Sequence, residues 1–200
     1  MIVEAITLLL TQLNDYIARA DGAAGVPNQA VAGNIAQLDR QEVVAELENH
    51  IVLSLVNLEE EKALKNGQTA FTISTGDVAY RNRPIHLNLF LLFTANYRNY
   101  VTALRRLAQV LTFFQGKQKF TAANSPGANL PQSGIVEFSL LMDLISPSFE
   151  EVNHLWGFLG TKESPFALYR GRLVVVADQR PLETGARIQD IEVTTRDVTA

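Results

Sequence analysis

Apolar residues at the start of the chain recur every three or four positions. Over residues 2–19 this spacing predicts an amphipathic helix with one buried face. The glycines and proline of ADGAAGVPNQ indicate that a loop follows. The stretch AVAGNIAQLD, from Ala30, is a candidate short strand, and HIVLSLVNLE, from His50, has the Ile, Val and Leu content of a strand covered on both faces.

The period of the apolar residues changes inside residues 86–115. Leucine and phenylalanine alternate with other residues up to Phe93, which predicts a strand. The spacing then becomes helical and ends at Gly116, which is typical of a helix terminus. We expect the buried stripe of this helix to be Tyr97, Tyr100, Val101, Leu104, Leu107, Ala108, Leu111 and Phe114.

A second strand and helix follow the same order. IVEFSLLMDL predicts a strand, Ser146 and Pro147 indicate a helix start, and Gly160 indicates its end. The apolar face of this helix is Val152, Leu155, Trp156 and Leu159, and RLVVVAD supplies a last core strand. A weaker hairpin is expected where AFTIS precedes the turn at Gly76 and Asp77.

Strands that alternate with helices predict a small α/β (α+β) domain, in which one mixed central sheet is flanked by helices. Its 200 residues, 47% of them hydrophobic, are enough for one core. We expect the domain to span residues 1–180. Residues 181–200 have few large apolar groups and are expected to form a flexible tail or an exchange arm, with Ile191 and Val193 as its apolar positions.

Composition narrows the possible chemistry. The absence of cysteine excludes disulfides, thiolate nucleophiles, zinc-cysteine sites and iron-sulfur clusters. A net charge of −4 gives no reason to expect a nucleic-acid partner. The first twenty residues lack the basic region of a signal peptide, and polar residues interrupt their apolar run, so neither a signal peptide nor a membrane span is expected.

No set of residues in the sequence forms a recognisable catalytic motif. His50, His86 and His154 have no spacing that would present two imidazoles to one metal. The run Glu59, Glu60 and Glu61 could bind a hard cation, but a solvated or partner-facing turn is the favoured interpretation. Asp143 or His86 could serve a small enzyme only with partners that the sequence does not indicate. We therefore expect no enzyme activity and no cofactor.

Charge is distributed unevenly along the chain. Between Val78 and Val136 there are seven basic and no acidic side chains, which leaves ten basic against 21 acidic side chains elsewhere. Such polarity suits head-to-tail contact between copies or docking of an acidic segment, although a solvated helix face is the simpler alternative. The candidate interface residues are Arg98, Arg105, Arg106, Lys117 and Lys119, with Glu59 to Glu61 as a second, weaker surface.

Three stretches resemble one known family. They are VNLEEEKALKN (56–66), NLFLLFTANYRNYVTALRRLAQVLTFFQGKQKFT (88–121) and SFEEVNHLWGFLGTKESPFALYRGR (148–172). They look like the conserved N-terminal domain of the cap proteins of phage-tail-like contractile injection systems. The resemblance implies an α/β fold similar to phage tail terminators, with no catalytic residues. It also implies a ring of subunits, commonly six, that ends polymerisation of the inner tube and sheath.

The partners implied by this resemblance are other copies of the chain and the tube and sheath proteins. The protein would be cytoplasmic at assembly and then part of a particle that is released or membrane-anchored. One alternative is an adaptor of the same particle that links it to a membrane or to cargo. The acidic balance and the lack of a basic amphipathic segment argue against direct membrane insertion.

Overall fold

A six-stranded mixed sheet forms the centre of the computed structural model. The structure describes residues 2–22, 29–37, 45–61, 70–72, 78–80, 82, 85–121, 123–125, 138–176 and 183–185. The strands are β1 Ala30–Ala32, β2 His50–Glu60, β3 Ala70–Thr72, β4 Val78–Tyr80, β5 Ile85–Asn96, β6 Lys119–Thr121, β7 Ser139–Ile145, β8 Phe166–Val176 and β9 Glu183–Gly185. The helices are α1 Ile2–Ala20, α2 Tyr100–Gly116 and α3 Phe149–Leu159, with a 3-10 turn at Ile35–Gln37.

The strand order of the main sheet is β1-β2-β5-β8-β7-β6. β1 is parallel to β2, and every other pair in this sheet is antiparallel. The predicted fold class, a mixed sheet flanked by helices, is therefore confirmed. The sequence left the strand directions open. In the structure, the long strands β2, β5 and β8 pair antiparallel along most of their length.

A second sheet of three short strands has the order β3-β4-β9. The antiparallel pair β3 and β4 matches the hairpin predicted from AFTIS, although the expected turn at Gly76 and Asp77 lies outside the described residues. β9 falls within the stretch expected to be a tail and pairs with β4. The domain boundary at residue 180 stays a prediction, and Ile191 and Val193 lie beyond the part of the chain that the structure describes.

Helices cover the two faces of the main sheet. α1 and α2 pack on one face, where the apolar cluster includes Leu89, Leu91 and Phe93 of β5. α3 packs on the other, where Trp156 and Leu159 meet the central strands. The alternation of side chains along β5 explains this arrangement, because successive residues point to opposite layers. The two layers place α2 and α3 on opposite sides of the sheet.

Aromatic rings fill the layer beneath α2. Phe114 contacts both Phe93 and Tyr169, with ring centroids 5.2 and 4.5 Å away. Phe113 and Phe120 extend the same cluster. Buried rings of this size dominate the energetics of a core, and tilted contacts add to their burial. Burial also raises the pKa of Tyr169 to about 12.

Two local predictions are wrong. β2 is buried on both faces only from Ile51 to Ser54, and in its second half all residues but the half-buried Val56 are exposed. α3 does not start at Ser146 and Pro147. Ser148 caps it instead, in a capping box in which its hydroxyl accepts from the Glu151 backbone N–H while the Glu151 carboxylate accepts from the Ser148 N–H. The predicted end at Gly160, in a left-handed conformation, is confirmed.

Candidate interaction surface

A side-chain cap marks the start of α2, and buried aromatic residues lie near its end. The Asn99 side chain accepts a hydrogen bond of 2.9 Å from the Thr102 N–H, which satisfies one of the free donors of the first turn. The helix ends where the Lys117 N–H donates to the Phe113 carbonyl at 3.0 Å. Between these ends the sequence is YVTALRRLAQVLTFFQG, without an acidic residue.

The buried face of α2 is only partly the predicted one: Phe114 is buried and Tyr97 and Leu107 pack against the core, as predicted, but the other five predicted residues are exposed. Ala103, Val110, Phe113 and Phe114 are buried and form the contact with the sheet. Tyr100 and Val101 are instead 65% and 66% exposed, and Leu104 and Leu111 are 44% and 37% exposed. Together with the exposed Ala108 they form what we call the α2 stripe: Tyr100, Val101, Leu104, Ala108 and Leu111.

The error has a physical cause. Apolar residues occupy both sides of this helix, so a helical period alone does not decide which side faces the sheet. Phe113 and Phe114 are the large side chains of α2 that are buried, and the ring contacts of Phe114 with Phe93 and Tyr169 and of Phe113 with Phe120 hold this side of the helix against the sheet. The α2 stripe is left facing solvent.

Arg106, one of the candidate interface residues, turns toward the body of the protein. Its side chain is 14% exposed and forms an ion pair with Asp21, just beyond the end of α1. Gln109 closes the arrangement, because it accepts from Arg106 at 2.9 Å and donates to Asp21 at 2.8 Å. The Arg106 guanidinium holds the pKa of the Asp21 carboxyl below its usual range.

Two other candidate cations also have partners within the chain. Arg98 is exposed but pairs with Glu48, which raises the pKa of its guanidinium. The Lys117 ammonium donates to Gln12 and to the Asn124 carbonyl, both at 2.7 Å, and lies 4.8 Å from the ring centre of Phe120. Partial burial lowers the pKa of Lys117. These side chains connect α1, α2 and the loops around them.

Arg105 and Lys119 are the candidate cations whose side chains remain exposed without an ion pair to any described residue. Arg105 follows Leu104 and lies one turn beyond Val101, so it borders the α2 stripe. Its charge adds to the lowering of the pKa of Asp21. The candidate cations therefore fall into two groups. Arg98, Arg106 and Lys117 have partners within the chain, whereas Arg105 lies exposed beside an apolar helix face.

The acidic candidates lie at the far end of β2. Glu59 and Glu60 are exposed, whereas Glu61 follows the strand, donates its N–H to the His86 carbonyl at 2.8 Å and accepts from the Asn88 side chain at 3.2 Å. Two leucines precede these carboxylates on the same strand and are exposed, Leu55 at 37% and Leu58 at 44%. We call the segment from Leu55 to Glu60 the distal half of β2.

The outer edge of this segment has no neighbour among the described strands. β1 pairs with Ile51 to Leu53 only, and Ser54 bridges to the next loop by accepting from the Ile35 N–H and donating to the Gly33 carbonyl. Beyond Ser54 no other described strand pairs with the outer edge of β2. Such an edge presents unpaired backbone groups that another strand can use.

Asp143 forms ion pairs within the sheet. Its carboxylate lies 2.6 Å from Nε of Arg172 and 3.8 Å from Nη2 of Arg170, with the geometry of an ion pair and not of an aligned hydrogen bond. Among the described ranges no cluster of three metal-binding side chains occurs. His50, His86 and His154 lie on β2, β5 and α3 respectively. Within those ranges, no helix is both long and apolar enough to span a bilayer.

Comparison with solved structures gives a match over the whole chain. It is to a chain described as the PVC sheath/tube terminator of an extracellular contractile injection system in the extended state, with a TM-score of 0.58 and 12% identity. The match covers 100% of this chain and 64% of that one, so this chain spans less than two thirds of that chain's length. At this identity the likeness shows the fold.

A second match is to the tube-terminating cap of the anti-feeding prophage, with a TM-score of 0.47 and 13% identity, over 73% of this chain and 49% of that one. Comparison with curated proteins finds no match. The family model described as the Pvc16 N-terminal domain matches residues 4–190, which is far more than half of the chain. The resemblance drawn from three stretches of sequence is confirmed, and the chain belongs to the Pvc16 N-terminal domain family.

Proposed function

We propose that this protein is a structural cap of a contractile injection system. Copies of the chain form a ring of six on the distal end of the inner tube and sheath, where they end polymerisation and stabilise the particle. The observation that carries the proposal is the family match over residues 4–190, together with a fold shared over the full chain with a sheath/tube terminator.

The described surface supports an assembly role. A protein that terminates a polymer must bind one open end and offer no equivalent end for another layer, so it needs asymmetric surfaces more than reactive groups. This chain has an apolar helix face bordered by Arg105 and, on a different element, exposed leucines beside Glu59 and Glu60. Asp143 has arginine partners, which suits a structural role and not acid or base catalysis.

The C-terminal stretch has a proposed role in the same assembly. Residues 181–200 act as an exchange arm that is anchored on its own chain where β9 pairs with β4, and Ile191 and Val193, beyond β9, are its apolar contacts. A strand added to an open sheet edge gains main-chain hydrogen bonds, and the side chains that alternate along it give specificity. The outer edge of the distal half of β2, which pairs with none of the other described strands, is the edge that we propose for it.

The test is to produce the tube and sheath proteins of the same system with and without this chain and to measure particle lengths by electron microscopy. We expect a narrow length distribution with the chain, and over-long or unstable particles without it. Intact particles of unchanged length in its absence would contradict the proposal. A tagged copy distinguishes the alternative: label at the distal end supports a cap, and label at a membrane-facing or cargo site supports an adaptor.

A further inference from the structure

We propose that the α2 stripe is the contact between neighbouring copies of this chain, and that it docks on the distal half of β2 of the next copy. The inference rests on the proposed ring and names the two surfaces that build it. Each copy would offer its α2 stripe to one neighbour and its distal β2 half to the other.

The first step is the shape of the stripe. Tyr100, Leu104 and Leu111 are separated by four and seven residues, and Val101 and Ala108 by seven, so all five lie along one side of α2. Single exposed apolar residues are common on proteins, but a contiguous apolar strip marks an interaction surface. Residues at these spacings are the anchors by which a helix docks against an apolar partner surface.

The second step is charge. α2 carries no acidic residue, and Arg105 borders the stripe. The favoured occupant is therefore apolar with a carboxylate at its side, because like charges across an interface are costly and opposite charges guide docking. A partner that is apolar and basic would not fit.

The third step is that this chain itself carries a complementary surface. Leu55 and Leu58 are exposed and pair in register with Leu91 and Leu89, so both lie on the same face of the sheet. Glu60 follows Leu58 on that face, and Glu59 lies between them in sequence. The distal half of β2 thus supplies two leucines and exposed carboxylates, as the α2 stripe requires.

The fourth step is symmetry. The two surfaces belong to different elements and share no residue, so the contact between copies is heterologous, with one surface of each copy meeting the other surface of its neighbour. Heterologous contacts produce rings when the rotation closes. A contact between the α2 stripes of two copies would instead give a two-fold dimer. It would place the Arg105 side chains of the two copies near each other.

Crosslinking tests the contact directly, because the chain has no native cysteine. Leu104→Cys and Leu58→Cys are placed in one full-length chain, produced with the tube and sheath proteins of its system, and treated with a short bis-maleimide. We expect a ladder of covalent dimers, trimers and larger species. Each single variant should remain a monomer. The matched control, Leu104→Cys with Asn153→Cys on the exposed side of α3, should not form a ladder.

The other outcomes contradict the contact. Particles of normal length without a crosslinked ladder would overturn the proposed contact but not the capping function. Failure of the capping function is measured separately, by the particle lengths with and without the chain. A dimer from Leu104→Cys alone would show a two-fold contact. A crosslinked monomer of altered mobility would show that the chain covers its own stripe.

Charge reversal gives a second measurement of the same contact. Arg105→Glu should reduce incorporation into particles by about tenfold, since it places like charges across the interface. Adding Glu60→Lys to the same chain should restore most of it. Failure to restore incorporation, with both variants folded by circular dichroism, would overturn the pairing.

Discussion

α1 and α2 pack on the same face of the sheet, yet they use their apolar residues differently. α1 buries Leu8, Leu9, Leu13 and Ile17, and Val3 is its one strongly exposed large apolar side chain. α2 buries its phenylalanines and exposes four large apolar side chains on the side away from the sheet. Apolar periodicity therefore identifies a helix reliably but identifies a buried face only when the opposite side is polar.

The difference separates two uses of apolar surface. In α1 the apolar face contributes to the stability of this chain, whereas in α2 one apolar face contributes to stability and a second is available to a partner. Because stability and assembly then depend on different residues of one helix, the two can be altered separately.

The largest expected effect comes from the same substitution on the two helices. Leu9→Ala in α1 removes a fully buried side chain and should lower the free energy of unfolding by about 2–5 kcal/mol. Leu104→Ala on the α2 stripe should change it by no more than about 0.5 kcal/mol. Urea denaturation followed by circular dichroism measures both. Equal losses would show that the α2 stripe is buried and that the distinction between the helices is wrong.

Much of the fold was predictable because its signals are local. The bounds of α1 and the switch from strand to helix near Tyr97 followed from period alone, and Gly160 correctly marked the end of α3. The strand directions did not follow, since pairing depends on contacts between residues far apart in sequence. The start of α3 was missed because Pro147 suits a first helical position, whereas the capping box of Ser148 and Glu151 was the better signal.

The interaction surface was less predictable than the fold. Charge counting selected Arg105 and Arg106 equally, yet Arg106 pairs with a residue 85 positions earlier in the chain. No local pattern distinguishes a cation with such a partner from an exposed one. One signal was present in the sequence: two adjacent phenylalanines at the end of α2 mark its buried side more strongly than the leucines do.

The next effect concerns Arg106 and its carboxylate partner. Asp21→Asn leaves the partly buried Arg106 without a counter-charge and should cost about 1–2 kcal/mol at pH 7, after allowance for partial exposure. The pKa of Asp21 is lowered in the folded state, so its contribution is present above the unfolded value of about 3.9 and is lost as pH falls through the folded value.

Urea denaturation at pH 7, 5 and 3 measures this dependence without added salt. The difference in the free energy of unfolding between the native chain and Asp21→Asn should be equal at pH 7 and 5 and smaller at pH 3. A difference that stays constant to pH 3 would show that the variant acts through packing and not through charge.

The smallest expected effect on stability is at the neighbouring arginine. Arg105→Gln removes an exposed charge that has no ion pair with a described residue, so the free energy of unfolding should stay within about 0.5 kcal/mol of the native value. Arg106→Gln, the matched control one residue away, should lose about as much as Asp21→Asn, because it removes the same ion pair. Incorporation into particles should show the opposite order. Under conditions where both variants are folded, fewer copies of Arg105→Gln than of Arg106→Gln should be incorporated. If the two variants lost stability equally, the separation of a structural cation from an interface cation on α2 would fail, and the apolar stripe alone would have to account for the contact.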